Sequence, residues 1–170
     1  MTYRSDSDIY APYDRLLPKS APPLPGHEYH AYNWSEVRDA ISKKDKLAFQ
    51  LVSNCYSRSG REAIVNELQK HIEVSVRGQC SNFVCDTACE KEMLERHKFY
   101  LAFENSICDE YVSEKVWRMK QLIVPVVLRA SDYSTLLPNG SFLAVDQFPS
   151  LYQLALQLLD LASNNSEYER

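Results

Sequence analysis

Five residues, Arg61, Asn105, Tyr111, Glu114 and Lys115, could together hold a nucleoside diphosphate. Such a ligand needs cations or N–H donors at its phosphates, acceptors for its ribose hydroxyls, and an apolar or aromatic wall for its base. Arg61 and Lys115 suit the phosphates and Glu114 suits the ribose. Tyr111 supplies a ring and a hydroxyl, and Asn105 offers both a donor and an acceptor. The same residues have a plainer reading, in which Arg61 is a surface arginine and Glu114, Lys115 and Arg118 form a solvated helix face.

The elements around them follow from periodicity. "KLAFQLVSN", 46 to 54, is the first strand-like run. Ser59 and Glu62 then fit a capping box for a helix with Ile64, Val65, Leu68 and Ile72 on one face, which puts Arg61 in its first turn. A cation there opposes the helix dipole, which makes it a candidate for a functional role. "HIEVSV" reads as a second strand, 78 to 92 as a cysteine-bearing loop, and "KFYLAFEN", 98 to 105, as an aromatic-rich strand. An amphipathic helix is predicted over 110–123, with Val112, Val116, Met119 and Ile123 inward and Tyr111, Glu114, Lys115 and Arg118 opposite. "VPVVL", 124 to 128, and "SFLAVDQF" read as further strands. A last helix carries a Ser150–Gln153 capping box. Residues 1–45, with the breaker cluster "PKSAPPLPGHEYH", form an extended lead-in, and 46–170 form the binding domain. Strands alternating with helices predict an α/β fold, a mainly parallel sheet with helices on both faces. Ligands of such sheets lie beyond the carboxyl ends of the strands, where both Arg61 and Asn105 fall.

The chain has 170 residues, 45% apolar and 25% charged, which suits one globular domain. A net charge of −4 predicts no nucleic-acid partner and no general attraction to anionic membrane. With four glycines, neither a dinucleotide fingerprint nor a P-loop is present. No apolar run is long enough for a membrane span. Cys55, Cys80, Cys85, Cys89 and Cys108 point to a disulfide-permissive compartment; zinc, with His71 or His97 as a further ligand, is the competing reading. Asn33, Asn139 and Asn164 head Asn-x-Ser triplets that permit glycosylation.

"KFYLAFENSICDEYVSEKVW" followed by "VPVVL" resembles the signature of the α-1,3-fucosyltransferase family, a strand ending in Phe-Glu-Asn-Ser and then Asp-Tyr-Val/Ile-Thr-Glu-Lys and Val-Pro-Val-Val-Leu. "MTYRSDSDI", "LVSNCYSRSGREAIVNELQKHIEV" and "FLAVDQFPS" are similar to other family segments, in the same order, so the resemblance covers nearly the whole chain. It implies transfer of L-fucose from GDP-β-L-fucose to a glycan hydroxyl, with α-1,3 linkage and inversion. It further implies the C-terminal, Rossmann-like half of a two-domain GT-B glycosyltransferase. The family's GDP-contacting positions fall on Arg61, Asn105, Tyr111, Glu114 and Lys115, with Arg4 as a weaker donor-side candidate. No cofactor is required, Mn2+ being at most a stimulant, and no metal site is expected. Partners are GDP-fucose and a glycan acceptor. The setting is the Golgi lumen, with membrane association through an N-terminal anchor outside this stretch.

The general base is expected in the family's N-terminal half, so neither Asp109 nor Glu110 is assigned that role. Between Lys115 and Pro125 the chain is about two residues shorter than the family pattern, which predicts a helix exit rotated by roughly 200°. Arg129 stands where the family commonly has Gly. These departures keep a second reading in play, a non-catalytic remnant acting as a GDP-binding or interaction module.

Overall fold

A computed structural model describes residues 2–17 and 31–169; the breaker cluster at 18–30 lies outside them. Among the described residues, ten helices and strands follow one another: α1 (Trp34–Ser42), β1 (Lys46–Leu51), α2 (Arg61–Leu68), β2 (Val74–Arg77), α3 (Thr87–Arg96), β3 (His97–Leu101), β4 (Val124–Val127), β5 (Leu143–Ala144), α4 (Leu151–Ser163) and α5 (Asn165–Tyr168). Short 3-10 turns lie between them, the longest at Val116–Gln121.

The five strands are all parallel, in the order β2-β1-β3-β4-β5. Ala48 of β1 pairs with Val74 on one side and Phe99 on the other, and Phe99 pairs in turn with Val124. Side chains alternate across a strand, so the buried runs of β1, β3 and β4 feed two cores. Ala48, Phe99, Leu101 and Val126 meet Val65 and Leu68 of α2 and Leu154 and Leu158 of α4. Phe49, Tyr100 and Val127 face the other way, onto Met93 and Leu94 of α3 and onto Val116, Trp117 and Tyr133. The expected α/β sheet, covered on both faces, is therefore present.

Several local expectations are corrected. Among the described residues the first regular element is α1, not β1. Asn33 accepts from the Glu36 N–H at 3.0 Å while the Glu36 carboxylate accepts from the Asn33 N–H at 2.8 Å, and Ile41 joins the core. α3 occupies much of the predicted cysteine loop, capped by Asp86, which accepts from the Cys89 N–H at 2.9 Å. α2 is capped by Gly60 at φ 68°, not by Ser59, because the Ser59 hydroxyl donates to the Glu104 carbonyl. Strands β1 and β3 end three and four residues before their predicted limits of 54 and 105.

The predicted α-helix over 110–123 does not form. Residues 111–115 are irregular, and Val116–Gln121 is a 3-10 turn. The reason is local competition for backbone donors: the Ser113 N–H donates to the Glu104 carboxylate instead of to a carbonyl one turn back. The apolar stripe still faces inward, with Val112, Val116 and Ile123 buried. The short exit is made by Leu122 in the left-handed region at φ 57°, which turns the chain directly into β4.

The three Asn-x-Ser asparagines have local structural settings. Asn33 and Asn164 cap α1 and α5, and Asn139 sits in a turn with Gly140 at φ 83°.

Candidate functional site

The strand order reverses at β1: the chain leaves it through α2 to reach β2 on one side and returns through α3 to β3 on the other. In open parallel sheets the connections after the two strands at such a point diverge and leave a crevice. Here the crevice is a cleft of ≈ 330 Å³ beyond the carboxyl ends of β1 and β3. Leu51 at the end of β1 and Val52, Ser53 and Asn54 just beyond it line the cleft, with Asn105 from the exit of β3. Gly78 forms part of the wall at φ 108°, where an added Cβ would lie 2.3 Å from the Val52 carbonyl oxygen, so only glycine fits.

Four of the six sequence-predicted residues meet in this cleft: Arg61, Asn105, Glu114 and Lys115. Arg61 is 2% exposed. It donates from Nη1 to the Phe103 carbonyl at 2.8 Å and from Nη2 to the Asn54 carbonyl at 2.9 Å. Together with Ser59, whose N–H and hydroxyl bond the Asn105 and Glu104 carbonyls, it ties the β1 exit to the β3 exit. The unfavourable first-turn position is thus offset by carbonyl acceptors beyond the strand ends, and the surface-arginine reading is excluded by burial.

Lys115 is held from below by Glu104, a carboxylate only 4% exposed. Its ammonium lies 2.8 Å from Glu104 Oε2, 2.6 Å from Ser113 Oγ and 3.3 Å from Glu114 Oε1. Glu104 also accepts from the Ser113 N–H and hydroxyl, each at 2.8 Å. Partial burial opposes charge on the exposed Glu114, but its own backbone N–H and Lys115 hold the carboxyl below the usual range.

Tyr111 and Arg4 do not line the cleft. The Tyr111 hydroxyl lies 3.4 Å from Asn105 Oδ1 and its ring 5.3 Å from that of Tyr3, which makes it a neighbour of the site. Burial raises its hydroxyl pKa. Arg4 pairs with Asp6 at the surface, which favours its charged form. Asp109 lies near Arg129, and Glu110 accepts from Ser5, so neither carboxylate is in the cleft. Arg129 also faces Asp132, and likewise does not line it.

Sequence reasoning missed Glu104 and Glu90, and placed Arg118 on a solvated face. Arg118 lies in the cleft wall, 2.7 Å from Glu90 Oε1. Burial works against its charge, but Tyr100 and Glu90 outweigh it and raise the pKa. A signal for Glu104 was present: a carboxylate directly after a fully buried strand must find a cation or several donors.

The zinc reading is corrected. Cys55 pairs with Cys80 and Cys85 with Cys89, leaving the exposed Cys108 thiol. His97 is buried against the Met93 carbonyl and Ser75, while His71 lies by Glu67 and Tyr152. Among the described residues no group of three or more His, Cys, Asp or Glu is placed to hold a metal. None of the described helices is long and apolar enough to cross a membrane.

Chemically, the cleft offers three cations, two amides and two carboxylates that are already paired with cations. It is built to grip a polar ligand that carries both acceptors and donors.

Known proteins share this framework. The α-(1,3)-fucosyltransferase C of Drosophila melanogaster is 39% identical over 168 residues, which cover 91% of this chain and 39% of that protein. The glycoprotein 3-α-L-fucosyltransferase A of the same species is 36% identical over 173 residues, covering 94% and 32%. The chain thus spans well under half the length of these relatives. A crystal structure of an α1,3-fucosyltransferase with GDP-fucose superposes with a TM-score of 0.66, covering 90% of this chain and 48% of that one; at 17% identity the likeness concerns the fold. Residues 41–170 match the C-terminal part of glycosyltransferase family 10, the fucosyltransferases, and the chain belongs to that family.

Proposed function

We propose that the cleft binds GDP-β-L-fucose and that this chain is the donor-binding part of a glycosyltransferase that moves L-fucose to a glycan hydroxyl. The observation that carries this reading is the convergence of Arg61, Asn105, Glu114 and Lys115 at the β1–β3 switch point. In this reading the domain over 46–170 holds the nucleotide. Arg61 and Lys115 face the diphosphate, Glu114 accepts from the ribose hydroxyls, and Asn105 bonds the ligand at the exit of β3. Tyr111 braces Asn105, and Arg4, outside the cleft, is a weaker donor-side candidate. Cations held in place by buried partners stabilise the negative charge that grows on GDP as the glycosidic bond breaks. The relatives' names support α-1,3 linkage, inversion at the fucose carbon completes the reading, and the two disulfides favour the lumen of the Golgi as its setting.

The carboxylates near the motif are engaged by Lys115, Arg118, Arg129 and Ser5. We assign none of them as the base that deprotonates the acceptor. That observation favours a second reading, a module that binds GDP without transferring fucose.

Calorimetry with GDP on the full chain tests the donor site. Loss of one charge-assisted contact in Lys115→Ala is expected to weaken GDP by about ten- to a hundredfold. A folded chain without GDP affinity refutes the proposal. Fucose transfer from labelled GDP-fucose to a lactosamine acceptor separates the two readings: GDP binding without transfer selects the module.

A further inference from the structure

The three cations of the cleft are engaged to different extents. Lys115 is bonded to three neighbours, and Arg61 gives a donor from each Nη to a backbone carbonyl. Arg118 commits only its Nε, to Glu90 Oε1 at 2.7 Å. Among the described residues neither Nη of Arg118 nor Oε2 of Glu90 has a protein hydrogen-bond partner. Both side chains line the cleft, and the Arg118 guanidinium sits 5.3 Å from the centroid of the buried Tyr100 ring. The two residues come from different elements, Glu90 from the first turn of α3 and Arg118 from the 3-10 turn after β3. Leu51 and Cys85 add apolar surface to the lining of the same cleft.

A lone arginine here would suit a phosphate. Beside it, however, Glu90 Oε2 is a free acceptor that a phosphate has no donor to meet, and in the reading above the phosphates already have Arg61 and Lys115. What the pair presents is a planar set of N–H donors next to a carboxylate oxygen. Its complement is a planar edge with a carbonyl acceptor next to N–H donors. Guanine has that edge, with O6 followed by N1–H and N2–H2. Adenine reverses it, with a donor at N6 and an acceptor at N1, so each contact would set like against like.

We propose that the Glu90–Arg118 pair reads the base of the bound nucleotide, Arg118 donating to O6 and Glu90 accepting from N1–H and N2–H2, and so selects guanine over adenine. This rests on the reading of the cleft as a nucleotide-sugar site. It adds to that reading the residues that distinguish one nucleotide from another.

Calorimetry of the full chain with GDP, IDP (whose base lacks the N2 amine) and ADP tests it. The wild-type chain is expected to bind GDP about tenfold more tightly than IDP, and ADP more weakly still. Glu90→Gln should weaken both GDP and IDP, GDP the more, so that the GDP-to-IDP ratio narrows towards one, and Arg118→Lys should reduce the preference for GDP over ADP. Near-UV circular dichroism identifies which variants are folded. The wild-type ratios stand as a test if neither variant folds, and equal wild-type affinities for GDP and ADP overturn the proposal. GDP binding with unaltered ratios in a folded Glu90→Gln chain overturns the role of the pair alone. Absence of any nucleotide binding by the folded wild-type chain overturns the donor-cleft reading along with it.

Discussion

Replacing Glu104 by glutamine removes one charge from the support under the cleft while keeping the side chain's shape. Glu104 accepts from the Ser113 N–H, the Ser113 hydroxyl and the Lys115 ammonium, all at 2.8 Å, in a pocket that leaves its side chain 5% and that of Lys115 15% exposed. Breaking a buried pair by removing one partner costs roughly 3–5 kcal/mol. Lys115 keeps Ser113 at 2.6 Å and Glu114 at 3.3 Å, so the low end applies, about 3 kcal/mol. For a domain of this size, with about 2–4 °C per kcal/mol, Tm should fall by roughly 6–12 °C. Urea denaturation of the wild-type chain, Glu104→Gln, Lys115→Met and the double variant closes a cycle. The double variant should be more stable than the sum of the single losses predicts, by roughly 2 kcal/mol, because each single change strands the other charge. A loss below about 0.5 kcal/mol for Glu104→Gln, or strict additivity, would refute the view that this carboxylate organises the cleft.

Two further perturbations probe the scaffold. Lys44 donates to the Leu94 and His97 carbonyls at the end of α3, and burial pushes its pKa down to about 8. The unfolded chain then holds an extra proton between about pH 8 and 10.4, so stability should rise with pH across that window, by up to about 1.4 kcal/mol per unit. The stability of Lys44→Met should lack that rise, so the wild-type chain's stability relative to the variant should increase with pH across the window in paired denaturation curves. Cys55–Cys80 closes 25 residues between the β1 exit and the turn after β2. Replacing both cysteines by serine should cost about 3 kcal/mol, read by denaturation, and should weaken GDP because Asn54 loses its tether.

Much of the architecture was legible along the chain. The strand-like runs read at 46–54, 98–105 and 124–128, alternating with helical stretches, pointed to a parallel sheet with helices on each side, and strands lie within those runs or begin one residue before them. Because Arg61 and Asn105 follow strands, they had to fall at the ligand-binding edge. Helices were read less well. α1 carried its capping box, but its charged surface hid the periodicity, and the cluster of Cys80, Cys85 and Cys89 made the start of α3 read as a loop. The 110–123 segment kept its apolar stripe while losing its helix.

Residue type and order alone therefore determined the sheet, its covered faces, the family, and four of the residues that meet in the cleft. The three-dimensional fold decided what those residues are attached to. Glu104 binds the backbone of Ser113, so a stretch with helical spacing becomes an irregular arm that delivers Lys115. Glu90 and Arg118 lie 28 positions apart, and only the packing of α3 against the turn after β3 makes them a pair. Periodicity records which side of an element meets the core. It carries no record of which polar group across the fold answers a buried charge, and that is settled only when the chain closes on itself.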